Sequence, residues 1–221
     1  YQGISTGVAG GASLSAAIVR GMCEIIERDA FMIYYLNRLP ALTINLEKIA
    51  SEKIKKMIFI ANRYKMEITS LDITTDLGTP TILSIVINHS ELGKAISVGL
   101  KCDFDYIKAI TGSVEEAFHT RAWLRSDYEN DAETIDITDL LEKSDIRSRG
   151  LLWYSQDNVK KLDFWLKNKK LKKIEAKEVN LTSGEKLEKL VKILKHMGFG
   201  IYYKDITIEK FKSLKYFVVK V

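Results

Sequence analysis

The feature that most constrains the fold is the stretch between Ser13 and Pro40, where apolar residues recur at helical spacing. Ser13 is a favoured helix N-cap, and a helix usually ends before a proline, so the pattern predicts one helix from Leu14 to about Arg38. At a rise of about 1.5 Å per residue, this helix would be about 37 Å long. Its interior carries charged residues that must be either solvated or part of a site: Glu24, Glu27, Arg28 and Asp29.

The rest of the chain mixes helical and strand patterns without strict alternation. A second key helix is predicted at about 105–127. Further amphipathic helices are predicted at 47–65 and 186–198, with a short helical segment inside the polar stretch 128–150. Strands are predicted at 66–76, 81–88, 94–102, 200–207 and 216–221, and the glycine-rich residues 1–12 are predicted to be a loop. The mixture predicts an α+β fold with a mixed or mainly antiparallel sheet packed with helices.

Size and composition narrow the class of protein. The 221 residues suit one large domain or two small ones, and 46% hydrophobic with 29% charged residues is typical of a globular chain. No apolar run reaches the roughly 18 residues of a membrane span, and the chain does not open with a basic-then-apolar leader, so we expect a cytoplasmic protein without a membrane partner. Cys23 and Cys102 lack metal or redox spacing and are predicted to be reduced core thiols. Because the chain starts in a loop and stops at Val221 within a predicted strand, we expect it to be part of a longer polypeptide.

The net charge of +5 lies mainly in the Lys-rich stretch 160–179. Such a stretch could bind phosphates of a nucleic acid, but a solvated helix and loop explain it more simply. We therefore expect no nucleic-acid partner.

The acidic pair of the first helix allows two interpretations. Glu24 and Glu27 are three apart and share a helix face, with Arg28 close to that face. Spacing alone favours a structural ladder of ion pairs, although such pairs contribute only a few tenths of a kcal/mol each. The alternative is a Mg²⁺ site, in which carboxylates hold the metal and arginines bind phosphate oxygens.

A second cluster lies on the helix predicted at 105–127. Glu116 and His119 share one side of this helix, and Arg121 flanks them. The histidine is either a hydrogen-bonded structural residue or, with Glu116, a metal-binding pair. The spacing leaves both readings open.

These two helices carry a family resemblance. The segment STGVAGGASLSAAIVRGMCEIIERDAF (5–31) resembles the signature of YcaO-domain proteins, including their Glu-x-x-Glu-Arg-Asp-Ala helix. LDITTDLGTPTILSIV (71–86) resembles the family's Asp-Leu-Gly-x-Pro turn and strand. SVGLKCDFDYIKAITGSVEEAFHTR (97–121) is similar to its Gly-x-Gly strand and Glu-Ala-x-Gln-x-Arg helix. The resemblance spans nearly the whole chain, and the C-terminal segments are similar to the azoline-forming, SagD-like branch.

The resemblance implies a YcaO-like fold in which residues 1–221 form a partial ATP-binding domain. It also implies an ATP- and Mg²⁺-dependent cyclodehydratase. Such enzymes convert Cys, Ser or Thr of a ribosomal precursor peptide to azolines by phosphorylating the amide oxygen. The implied partners are the precursor peptide and an E1-like or leader-binding protein, and a homodimer stays open. Two alternatives remain: backbone thioamidation with a TfuA-like partner, and a degenerate peptide-binding or scaffold domain without catalysis.

The resemblance also implies roles for individual residues. Glu24 and Glu27 would hold Mg²⁺, Arg28 would contact phosphate, and Glu116 would complete the metal and nucleotide shell. The implied nucleotide-binding set is Glu24, Glu27, Arg28, Glu116, His119 and Arg121. The chain departs from the family at two places. Many members carry acidic residues before the alanine of the first helix, where this chain has Ser15 and Ala16. In the second helix, the family's glutamine is replaced by His119.

Overall fold

A computed structural model describes residues 4–90, 94–123, 146–168, 170–174 and 179–221. Eight strands form two sheets in this part of the chain. They are β1 (Val8–Gly11), β2 (Leu42–Ile44), β3 (Met66–Asp72), β4 (Thr81–Asn88), β5 (Ile96–Cys102), β6 (Leu171–Lys172), β7 (Lys204–Asp205) and β8 (Phe217–Lys220). The larger sheet has the order β5-β4-β3-β2-β6 and the smaller sheet β1-β8-β7. Among the strands that the structure describes, β2 and β6 are the one parallel pair. The predicted α+β class with a mainly antiparallel sheet is confirmed.

The described helices are α1 (Leu14–Leu36), α2 (Glu52–Arg63), α3 (Tyr106–Arg121), α4 (Ile146–Leu151), α5 (Asp163–Leu166), α6 (Ser183–His196) and α7 (Glu209–Ser213). Ser13 caps α1 as predicted, since its hydroxyl accepts the Ala16 N–H at 3.1 Å. None of the helices in these ranges combines the length and apolar content that a membrane span needs.

The large sheet is covered on both faces. On one face, Ile82 packs with α2 and α3 through Ile54 and Ile110. On the other face, Leu83 packs with Ala30 of α1 and the fully buried Trp165, together with the rest of that cluster. The N-terminal half of α1 also packs on the small sheet and α6. Helix α1 therefore connects both sheets, and α1 and α3 lie on opposite faces of the large one.

The prediction of a loop over residues 1–12 is wrong at β1. Val8–Gly11 pairs with Phe217–Lys220, more than 200 residues away along the chain. Glycines are disfavoured in strands, so the local sequence does not predict strand β1. Close packing explains the glycine at position 11, because a Cβ there would lie 2.6 Å from the Ala17 backbone nitrogen.

The bounds of several other predicted elements differ from those in the structure. The helix predicted at 47–65 begins at Glu52, after a 3₁₀ turn at Leu46–Lys48. The strand predicted at 200–207 is reduced to Lys204–Asp205. The helix predicted to reach 127 ends at Arg121, and the short helix predicted within TDLLEK (138–143) lies outside the described residues.

The N-terminus of α3 offers a stability test. Asp105 is buried, and its Oδ1 accepts the N–H groups of Ile107 at 2.8 Å and Lys108 at 3.2 Å. Replacing Asp105 by alanine removes this cap and should lower the free energy of unfolding by about 1–2 kcal/mol, measured by urea denaturation. Asp105→Asn keeps the accepting oxygen and should lose much less. Equal losses for both variants would contradict a capping role.

Candidate functional site

The candidate site lies at the outer edge of β5, the end strand of the large sheet in the described part of the chain, where α1 and α3 approach from opposite faces. The Asp103 N–H donates to the Pro80 carbonyl on the inner side of the strand. Because N–H directions alternate along an antiparallel strand, those of Leu100 and Cys102 point to the outer edge. An exposed strand edge has donors without strand partners. Here two carboxylates accept them, one from each helix.

Glu27 of α1 caps one of these edge groups. Its Oε1 accepts the Cys102 N–H at 2.7 Å and lies 3.4 Å from the Lys101 ammonium, and only 7% of the residue is exposed. Burial raises the pKa of Glu27 because the charged form loses hydration. Lys101 and the Cys102 N–H oppose this rise in pKa, and the negative charge of Glu116 adds to it.

Glu116 of α3 caps the other edge group. Its Oε2 accepts the Leu100 N–H at 3.1 Å, and the residue is exposed. Helix α3 can lie this close to β5 because of Gly99, where a Cβ would lie 2.2 Å from both the Ser113 oxygen and the Ala117 nitrogen. The structure thus brings Glu27 and Glu116 to one strand edge, close enough for their charges to interact.

Glu24 lies one helical turn before Glu27 and is also held by a backbone donor. Its Oε2 accepts the Gly7 N–H at 3.2 Å, while its Oε1 lies 3.1 Å from Nε of Arg28. The side chain of Arg28 is 55% exposed. This contact is the i, i+4 ion pair of the ladder interpretation, and it leaves the guanidinium within reach of solvent.

Arg121 and His119 lie near the end of α3. Arg121 donates from Nη1 to the Lys94 carbonyl at 2.8 Å, at the opposite end of β5 from Cys102. His119 is exposed, one turn after Glu116. The structure therefore groups Glu27 with Glu116 and Glu24 with Arg28, and it engages Arg121 with a different part of the strand. The predicted nucleotide-binding roles of His119 and Arg121 stay predictions.

Lys94, beside Arg121, gives a pH-dependent prediction. Its ammonium donates to the Thr120 carbonyl at 3.3 Å and lies over the rings of Trp123 and Tyr154. Burial, with repulsion from Arg121, lowers the pKa of Lys94 to about 8. An unfolded lysine keeps its proton to about pH 10.4. Between these values the unfolded chain binds more protons, so raising the pH stabilises the fold.

We expect this contribution to appear in a comparison with Lys94→Met. Raising the pH from about 8 to about 10 should increase the stability of the wild type relative to the variant by about 1 kcal/mol per pH unit. Denaturant unfolding at both pH values measures the difference, and other titrating groups cancel in the comparison. A difference that is constant with pH would contradict the lowered pKa.

The arrangement at the edge of β5 suits a hard cation. Each of Glu27 and Glu116 uses one oxygen for a backbone N–H, which orients the second oxygen for another partner. In the described part of the chain, no three His, Cys, Asp or Glu side chains are grouped to hold a metal ion. Mg²⁺, however, is usually bound by only one or two carboxylates together with substrate phosphates and water. Two anchored carboxylates, contributed by helices on opposite faces of the sheet, therefore fit Mg²⁺ bound to a nucleotide.

Lys101 is the site residue that sequence reasoning missed. Burial alone would lower the pKa of Lys101, but attraction to Glu27, with their hydrogen bond, and to Glu116 raises it overall. The side chain is 44% exposed. A lone lysine in a strand has no sequence signal that separates it from a solvated residue, so only the tertiary contact identifies it.

Comparisons with known proteins identify the family of the chain. The sequence model described as YcaO cyclodehydratase, ATP- and Mg²⁺-binding, matches residues 1–221. An uncharacterized protein of the tfuA 3′ region of Rhizobium leguminosarum bv. trifolii is 30% identical over 130 residues, which are 55% of this chain and 31% of that protein. The matched part is thus about a third of that relative.

Solved structures share the fold. A heterocyclase in complex with substrate and cofactor has a TM-score of 0.79 at 19% identity, over 100% of this chain and 28% of the other. YcaO from Methanopyrus kandleri bound with AMPPCP and Mg²⁺ has a TM-score of 0.64 at 15% identity, over 100% of this chain and 54% of the other. With the family match over its whole length, this chain belongs to the YcaO cyclodehydratase family.

Proposed function

We propose that the chain binds ATP with Mg²⁺ at the edge of β5 and serves a cyclodehydratase that forms azolines in a ribosomal precursor peptide. The observation that carries the proposal is the meeting of Glu27 and Glu116, each fixed by a backbone N–H of the same strand edge. Membership of a family described as ATP- and Mg²⁺-binding supports the choice of ligand. The substrate-bound heterocyclase of similar fold supports a peptide-modifying role.

The residues of the site have distinct tasks in this proposal. When bound, ATP would supply the phosphoryl group that converts the amide oxygen of the peptide into a good leaving group, and Mg²⁺ would neutralise negative charge on the phosphates. Glu27 and Glu116 hold the cation, and their backbone hydrogen bonds keep both carboxylates oriented before it binds. Arg28, exposed beside Glu24, contacts a phosphate oxygen, and Glu24 orients the guanidinium. Glu24 joins the cation shell in the proposed ligand set of Glu24, Glu27 and Glu116.

The test is ATP consumption by the full-length protein with candidate precursor peptides, together with the mass of the peptide product. Azoline formation removes one water from the peptide for each residue modified. We expect the peptide to stimulate phosphate release and the peptide product to have lost one water for each modified residue. Absence of ATP consumption with every peptide would favour a scaffold domain without catalysis.

Thioamidation is a second candidate because a relative 30% identical to this chain is encoded in a tfuA 3′ region. This reaction uses the same activation of the amide oxygen, followed by attack of an external sulfur donor. The same product analysis separates the candidates, since thioamidation replaces one oxygen by sulfur and removes no ring-forming water. A requirement for a TfuA-like partner would further favour it.

A further inference from the structure

Lys101 places a fixed positive charge inside the candidate site. Its ammonium lies 3.4 Å from Oε1 of Glu27, and its charge also interacts with Glu116. Residues 100 and 102 hold the two carboxylates through their N–H groups, so Lys101 projects from the strand between these two anchoring residues. The lysine is therefore in the position of a cation that both carboxylates attract.

The surrounding helix accommodates the stem of this lysine. A Cβ on Gly112 of α3 would lie 2.8 Å from both Cγ and Cδ of Lys101. The absence of a side chain at Gly112 thus leaves the path along which the lysine reaches Glu27. Because the stem is confined by α3 and the ammonium is attracted by two carboxylates, the charge has a defined position.

We propose that Lys101 is a resident cation of the nucleotide site, which neutralises Glu27 and Glu116 and contacts a phosphate oxygen of the bound nucleotide. This inference rests on the proposed function. A lysine ammonium is a compact point charge that binds phosphate well. It competes with a divalent ion for the carboxylates when no nucleotide is present. When a nucleotide is present, it supplies part of the positive charge that a divalent ion would otherwise provide.

The test uses Lys101→Met in the full-length protein and two binding measurements that should change in opposite directions. First, Mn²⁺ alone is titrated into nucleotide-free protein and followed by electron paramagnetic resonance. Removing the competing ammonium should tighten Mn²⁺ binding by about tenfold. Second, AMPPCP is titrated in the presence of EDTA and followed by calorimetry. Losing the phosphate contact should weaken this metal-free binding by about tenfold.

Two further variants separate charge from structural damage. Lys101→Arg keeps the positive charge and should retain most of the metal-free AMPPCP affinity of the wild type. Lys108→Met removes an exposed α3 lysine that pairs with Asp105 and should leave both measurements unchanged. Opposite shifts for Lys101→Met support the proposal. No change in either measurement, or weakening of both, overturns it.

The result also distinguishes this inference from the proposed function. If the wild type binds no AMPPCP with or without a divalent ion, the proposed function fails. The Mn²⁺ titration of nucleotide-free protein then decides alone whether Lys101 occupies a cation position: tighter binding in Lys101→Met supports this, and unchanged or weaker binding overturns it.

Discussion

Replacing Glu27 by glutamine in the full-length protein should lower ATP turnover by at least about 100-fold, with little loss of folded protein. Glutamine keeps an oxygen that can accept the Cys102 N–H, so the anchoring hydrogen bond can persist. It removes the negative charge that the cation requires. The rate of phosphate release with saturating peptide measures the effect, and a thermal melt verifies that the variant is folded. Glu116→Gln should show a loss of the same kind.

Glu115→Gln is the matched control for these variants. Glu115 neighbours Glu116 on α3, but its Oε1 pairs with the ammonium of Lys53 on α2 and not with the edge of β5. We expect ATP turnover close to that of the wild type. Wild-type turnover in Glu27→Gln, or an equal loss in Glu115→Gln, would contradict the assignment of the site.

Gly99→Ala should be among the most destabilising single substitutions in the chain. The added methyl would lie 2.2 Å from two backbone atoms of α3, the Ser113 oxygen and the Ala117 nitrogen, and neither can rotate away. Separating α3 from β5 should lower the free energy of unfolding by about 3 kcal/mol, which corresponds to a fall in the melting midpoint of roughly 6–12 °C. Calorimetry and urea denaturation measure the change. The variant should also lose nucleotide binding, because Glu116 moves with α3.

Gly184→Ala provides the control for this prediction. Gly184 lies in the first turn of α6, and the single atom near its added Cβ is the Thr182 hydroxyl oxygen at 4.0 Å. Alanine is a better helix former than glycine, so a small gain in stability is expected there. A loss below about 1 kcal/mol for Gly99→Ala would show that α3 can shift without penalty.

The sequence predicted those parts of the fold that depend on local signals. Ser13 caps α1, and the apolar run of β4 is a fully buried strand, because capping and periodicity act over a few residues. Strand β1 could not be predicted in this way, since its partner is β8 at the other end of the chain. Long-range pairing of a glycine-rich segment has no local pattern.

In the candidate site too, the features that depend on local sequence could be predicted and those that depend on long-range contacts could not. The helical positions of Glu24, Glu27 and Glu116 follow from spacing, and the family resemblance pointed to all three. The sequence could not show that Glu27 and Glu116 meet at one strand edge, because that depends on which sheet face each helix covers. Nor could it show that Arg121 engages the Lys94 carbonyl or that Lys101 reaches Glu27, since both contacts join segments distant in sequence.

A double-mutant cycle between Glu27→Gln and Glu116→Gln tests most directly whether one cation is shared by two helices. The measured quantity is the affinity of the full-length protein for AMPPCP at saturating Mg²⁺, for the wild type, both single variants and the double variant. Carboxylates that hold the same ion should be coupled, with an interaction energy of about 1 kcal/mol or more. Losses that simply add, or affinities that none of the substitutions changes, would contradict a shared Mg²⁺–nucleotide site.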